Sequence, residues 1–296
     1  MNRPVTFEND ALRLQVYPQI GGKVASIVDK ADNFELLFNF ADEIPDHYIY
    51  DAVYSDHWFA GWDECFPSVA PSPYVGQPYD GIRSPDHGEL WGLPTVAVPT
   101  HDGITTVWHG LRFGYRLTRK LYLEGPSVIA EYTLVNMAPF PFHFVWAMHA
   151  LMSSKSPAEI DFGSPLQFRR SHGTAFEGKI GDFAWPKALP DADLSQIAKL
   201  PLEQSYKAFS HEPIAQPVVV RYPARNRSAT LAFSSEALRA FWGVWINTGG
   251  WQHHQHFAIE PSTGRYDELD QAIRDGSAGT VGPRETVEWS LKLSVG

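Results

Sequence analysis

A single cysteine, Cys65, stands among 296 residues, so no intramolecular disulfide can form and a reducing compartment is expected. No apolar run approaches the roughly 18 uninterrupted residues of a membrane helix. The opening stretch MNRPVTFENDALRLQVYP lacks the apolar core of a secretory signal. Cations are few: 24 Lys and Arg stand against 34 Asp and Glu, a formal charge of −10, and they form no basic stripe. That balance argues against nucleic acid as a partner. A soluble, cytoplasmic protein with no membrane partner is the expectation. Long helices are not expected either, because 23 prolines and 23 glycines punctuate the chain.

What the chain does have is alternation. Leu12, Leu14 and Val16 share one face of a strand, with Arg13 and Gln15 on the other. Similar runs are THDGITTVWHG, YRLTRKLYLEG, SVIAEYTLVN, PVVVRYP, SATLAFS, AFWGVWIN and TVEWSLKLSV. Turn signals such as Gly21-Gly22, Asp102-Gly103 and Gly282-Pro283 separate them. Short, regularly spaced strands without long helices between them predict an all-β, antiparallel sandwich or barrel. Two short helices are expected, one capped by Asp267 and stopped near Gly276, the other over residues 191–199. No boundary divides the chain, so a single domain over 1–296 is expected. Within it, residues 40–85 are rich in loop-forming and aromatic residues, the composition of a binding wall, and residues 153–215 read as an insertion. Most of the ten tryptophans are expected to pack in the interior.

Three residues draw attention as acid–base groups. Glu260 closes the run WQHHQHFAIE, with Pro261, Ser262, Thr263 and Gly264 expected to turn the chain directly after it. A carboxylate on a rigid strand end is well placed as a general base. Its face includes His254, His256 and Ala258, a row that in the plainer reading faces solvent. His149 lies in the apolar run FHFVWAMHALM, where burial disfavours the imidazolium unless a carboxylate opposes it. Without such a neighbour it reads as a packed core histidine; beside Glu260 it reads as a proton donor. His87 stands in SPDHGELWG, where Gly88 would admit a ligand close to the backbone and Trp91 would offer a flat face to its C–H groups. Ordinary turn chemistry is the alternative there. Asp63 and Glu64 in GWDECFPSV point opposite ways on a strand, so at most one of them faces any given pocket.

A metal site is not expected. His254, His256 and Glu260 give H-x-H-x3-E, close to a cupin ligand spacing, but the glycine of that pattern falls on Thr248 and no histidine follows His256. Cys65 has no cysteine partner for a thiolate site.

Taken in order, GGKVASIVDKADNFELLF, GWDECFPSV, DHGELWG, WAMHALM and AIEPSTGR resemble the aldose 1-epimerase (galactose mutarotase-like) family over most of the chain. The resemblance implies a β-supersandwich of antiparallel sheets with an open cleft. It implies Glu260 as the base that takes the anomeric hydroxyl proton and His149 as the acid that protonates the ring oxygen. It implies that His87 holds the ring-oxygen side. Where many members carry an Asn-Arg pair this chain has Asp63-Glu64, so Glu64 is expected to contact hydroxyls. Tyr206 or Lys207 falls near the position of the family's sugar-binding aspartate, and a lysine such as Lys207 there would suit an anionic sugar. The expected activity is cofactor-independent interconversion of the anomers of a free hexose or a hexose derivative, by a monomer or homodimer. Binding of carbohydrate without turnover, or a lyase or hydrolase on a related sandwich, are the alternatives.

Overall fold

The alternating runs fold as strands, and their register decides which side chains meet. In the computed structural model, which describes residues 3–40, 44 and 47–296, Gly103–His109, Tyr115–Glu124, Ser127–Asn136 and Thr286–Val295 pair antiparallel. They are central strands of an eight-stranded sheet. Their apolar positions, Leu117, Leu121, Ala130, Tyr132, Leu134, Leu291 and Leu293, are buried in one hydrophobic cluster. The same cluster takes Trp62, Trp146, Met148, Val244, Ile246, Phe257 and Ile259 from a second, larger sheet. The fold is therefore an all-β sandwich of antiparallel sheets, as the period-two pattern predicts.

The second sheet carries the chemistry. Its middle strands run in the order Lys23–Asp29, Trp62–Cys65, Ala147–Ala150, Gln255–Ser262, Phe241–Thr248 and Ser205–Ser210. One face of each packs into the sandwich; the other faces outward beneath a set of loops. Register places His149 opposite Asp63, Gly243 opposite Glu260, and Lys207 opposite Trp245, all on the outward face.

Several local expectations need correction. The strand bearing Glu260 continues to Ser262, so the glutamate lies inside the strand and the turn comes later. Residues 191–199 form no α-helix; they hold a short strand, Ala192–Asp193, and a 3₁₀ turn, Ile197–Lys199. The three 3₁₀ residues are held by short-range backbone bonds, because no apolar face at helical spacing extends beyond them. The segment 153–215 is more than an insertion, since Gln167–Arg170 and Ser205–Ser210 are strands of the large sheet. The helix Leu269–Asp275 does end at Gly276, in the left-handed region, but Asp267 does not cap it. Ser68 Oγ accepts from Leu269 N (3.1 Å) and Ser72 Oγ from Asp270 N (2.9 Å), so serines from a distant loop satisfy the free N–H groups. Asp267 is released for another role.

Glu64 also departs from expectation. Its side chain enters the sandwich core rather than the outward face, because Trp62 and Glu64 share the parity that faces the other sheet. There it accepts from Arg119 Nη1 (2.9 Å), Tyr132 Oη (2.8 Å) and Trp146 Nε1 (2.7 Å). Arg119 and Glu64 are fully buried. Removing one partner of such a pair strands a charge, which costs about 3–5 kcal/mol, whereas removing both is often near neutral. Arg119→Met is therefore expected to lower urea stability by about that amount, and adding Glu64→Gln should recover most of it. A loss in the single variant no larger than in the double would refute the pairing argument.

Candidate functional site

A cavity of about 220 Å³ opens on the outward face of the large sheet. Its walls come from the sheet (His149, Lys207, Trp245, His256) and from loops above it (Tyr54, Val69, Ala70, Asp86, His87, His172, Trp251, Asp267). The loop-rich stretch 40–85 contributes Tyr54, Val69 and Ala70, so part of it forms a wall.

Glu260 lies beside His149 and Lys207 and is almost wholly buried. Lys207 Nζ donates to Glu260 Oε2 and stands 3.3 Å from Asp267 Oδ1. The other oxygen, Glu260 Oε1, accepts no hydrogen bond and is 3.9 Å from His149 Nε2. Burial raises the Glu260 pKa; Lys207 opposes that shift and Asp267 adds to it. Gly243 makes the arrangement possible: a Cβ there would come within 2.8 Å of Glu260 Oε2. The run AFWGVWIN carried that signal in a small residue amid large ones.

His149 is buried, and its pKa falls well below the ordinary histidine value. Burial is the main cause, and His87, Lys207 and Lys23 act in the same direction. His87 is held by its neighbour: its Nδ1 is 2.8 Å from Asp86 Oδ1. Its ring stacks on Tyr54 with centroids 3.8 Å apart and meets His149 edge-on at 4.9 Å. The backbone of His87 has φ 56°, an uncommon conformation for a residue with a side chain. Gly88 serves packing rather than a ligand, because a Cβ there would lie 2.2 Å from the Phe66 carbonyl oxygen.

Of the residues singled out from the sequence, His87, His149 and Lys207 line the cavity, and Glu260 touches two of them. Trp91 and Glu64 do not line it. Trp91 is buried behind Tyr54, edge-on at 5.2 Å, and its Nε1 donates to the Asp86 carbonyl (2.7 Å). It supports the wall instead of offering its face. Tyr54, Asp267, His172, Trp245 and Trp251 were not anticipated at the site. Asp267 reaches it because Val69 N, Ala70 N and Ser68 Oγ all donate to its carbonyl oxygen at 2.8–3.0 Å.

His254, His256 and Glu260 share a face but do not converge. His256 Nε2 accepts from Trp245 Nε1 (3.1 Å), and His254 packs on Phe38 and Phe40. Among the described residues no group of three or more His, Cys, Asp or Glu is arranged to hold a metal ion. No helix of the described residues is long and apolar enough to cross a membrane.

Burial holds the His256 pKa down to about 3. An unfolded histidine titrates near 6.5. Both His149 and His256 thus stabilise the fold fully above pH 6.5, and that contribution is lost as pH falls toward their depressed folded values. The expected slope is on the order of 1 kcal/mol per pH unit per histidine. Urea midpoints measured from pH 7.5 down to 4 should show the decline, and His256→Gln should make it shallower. A flat wild-type profile would contradict the burial of these rings as neutral groups.

No protein-family model matches the chain, and no curated protein matches it by sequence. Solved structures do match in three dimensions. The Slr1438 protein of Synechocystis sp. PCC 6803 superposes with a TM-score of 0.73 at 16% identity, covering 100% of this chain and 96% of that one. A galactose mutarotase-like protein from Lactobacillus casei ATCC 334 gives 0.70 at 17% identity, covering 99% and 100%. A galactose mutarotase related enzyme from Lactobacillus acidophilus gives 0.70 at 12% identity, covering 99% and 97%. The similarity runs the full length of the chain, and the protein has the galactose mutarotase-like fold.

Proposed function

We propose that the chain is a cofactor-independent isomerase of the aldose 1-epimerase type, acting on a free monosaccharide. The observation that carries this reading is the unpaired Glu260 Oε1 facing Nε2 of the cavity-lining His149 across 3.9 Å. The cavity is smaller than the roughly 300–1,000 Å³ of pockets for drug-sized ligands, which favours a single sugar ring over an oligosaccharide. The structural neighbours named as mutarotase-like point to the same chemistry.

In this reading the resting His149 is neutral and first takes up a proton on Nε2; Glu260 then removes the proton of the anomeric hydroxyl as that imidazolium protonates the ring oxygen. The C1–O5 bond breaks and leaves an open aldehyde. Rotation about C1–C2 followed by the reverse proton transfers gives the other anomer. Burial assists both transfers in the same direction. It makes Glu260 a stronger base and the His149 imidazolium a stronger acid, so ring opening converts two buried charges into two neutral groups. His87, held by Asp86, lies beside the ring oxygen. Glu260 Oε1, buried without a hydrogen bond, and Asp267 Oδ1, held only by its ion pair with Lys207 at 3.3 Å, are acceptors that sugar hydroxyls would satisfy.

Exchange NMR with saturation of one anomeric proton measures the reaction directly. Glu260→Gln and His149→Asn are each expected to slow exchange by at least about 10²-fold with the fold intact. The pH profile of kcat/KM should be bell-shaped, with both limbs belonging to the Glu260–His149 pair. Wild-type exchange no faster than buffer across a panel of aldoses would sink the enzyme reading. Sugar binding without exchange would instead identify a carbohydrate-binding protein.

A further inference from the structure

Beneath the two histidines lies a buried polar chain that the proton transfers above do not use. Lys23 and Asp63 form an ion pair with no exposed side-chain surface. Lys23 Nζ also donates to the Ala60 carbonyl (2.7 Å) and lies 5.2 Å from the Trp58 ring centroid. The Tyr54 hydroxyl donates to Asp63 Oδ2 (2.6 Å). The same hydroxyl stands 3.4 Å from His149 Nδ1. Tyr54 thus touches both imidazoles: its oxygen meets His149, and its ring stacks on His87. Its backbone N–H donates to Asp86 Oδ2 (3.0 Å), while Asp86 Oδ1 holds His87 Nδ1.

We infer that the Lys23–Asp63–Tyr54 chain is a tautomer lock, which fixes a proton on His149 Nδ1 and reserves Nε2 for proton exchange with substrate. The inference rests on the acid role given to His149 above. Its physical basis is a count of donors and acceptors. A tyrosine hydroxyl has one proton, and here its acceptors are Asp63 Oδ2 (2.6 Å) and the more distant Phe59 carbonyl (3.1 Å), neither of them His149. Lys23 Nζ donates to the same oxygen, Asp63 Oδ2, so that oxygen is an acceptor on both sides. The hydroxyl stays protonated, because burial first and Asp63 second push the Tyr54 pKa far upward. Only lone pairs of the Tyr54 oxygen remain for His149, so the facing Nδ1 must be the donor. The neutral ring then carries its proton on Nδ1, and Nε2, the nitrogen facing Glu260, is free to gain and lose one. Without the lock, a neutral imidazole with its proton on Nε2 would leave an acceptor on the wrong side and spoil the hand-off to the ring oxygen. Tyr54 acts through His149 and is a positioning residue.

The nitrogen resonances of ¹⁵N-histidine-labelled protein, recorded with and without Tyr54→Phe, test this without any sugar. Wild type at pH 7.5 is expected to show His149 Nδ1 protonated and Nε2 unprotonated. Tyr54→Phe, which keeps the ring that stacks on His87, should shift the ring toward the Nε2-protonated form. It should also lower kcat for anomer exchange by about 10- to 10²-fold, leaving KM within about threefold. A wild-type ring protonated on Nε2, or a tautomer that Tyr54→Phe leaves unchanged, would overturn the lock. Because the tautomer is read in the free protein, a failure of the lock is separable from a failure of the mutarotase reading. In the latter case the predicted tautomer is found but the wild type exchanges no sugar.

Discussion

The short strand Trp62–Cys65 sets two carboxylates back to back, and much of the molecule is arranged around that fact. Adjacent residues of a strand point to opposite faces. Asp63 therefore emerges on the outward face and Glu64 in the sandwich core. Neither position offers water, and a buried carboxylate without a partner is costly. Each has its own buried cation from a different strand: Lys23 for Asp63 and Arg119 for Glu64. The two pairs fasten the strand to both of its surroundings. Arg119 and Tyr132 reach Glu64 from the facing sheet, and Trp146 closes on it from just before the strand Ala147–Ala150. Asp63 in turn orients Tyr54, and Tyr54 meets both imidazoles of the cavity. The ion pairs need not add net stability for this to hold, since their geometry is what the site inherits.

That geometry lets one physical variable, burial, run through the proposed chemistry. It favours the neutral forms of Glu260 and of His149 alike, and the proposed ring opening moves both toward neutrality. Lys207 sets the limit on this effect. By donating to Glu260 Oε2 it opposes the effect of burial, while its contact with Asp267 prevents it from serving Glu260 alone. A stronger cation beside Glu260 would weaken the base, and none at all would leave the effect of burial unopposed.

Much of the fold was legible because period-two alternation depends only on near neighbours. Leu117 and Leu121, or Phe257 and Ile259, announce their faces without knowledge of what they pack against. The same parity put His256, Ala258 and Glu260 on one face, and short motifs marked His87 and His149. What was not legible depends on contacts between distant segments. Ser68 caps the helix at Leu269 across 201 positions of sequence, and that contact frees Asp267 for the cavity. Tyr54 looked like one aromatic among many in a loop. Glu64 and Trp91 had sugar-binding composition, but the three donors of Glu64 and the packing of Trp91 behind Tyr54 arise only in the folded chain.

Lys207 shows most clearly why composition at a site differs from charge at a site. A lysine in a sugar cavity reads, from sequence, as a partner for an anionic substituent. In the fold that cation is shared between Glu260 and Asp267, and Asp86 adds a further carboxylate to the wall. Lys23 is walled off beneath Tyr54 and neutralised by Asp63. No arginine stands among the described residues that line the cavity. A phosphate or carboxylate entering there would meet carboxylates whose counter-charges are already engaged, with little water to screen the repulsion. The charge argument for an anionic sugar therefore loses its basis. What the site offers instead is a pair of buried acceptors, Asp267 Oδ1 on the cavity wall and Glu260 Oε1 behind the lining residues His149 and Lys207, that hydroxyl donors satisfy without bringing a charge.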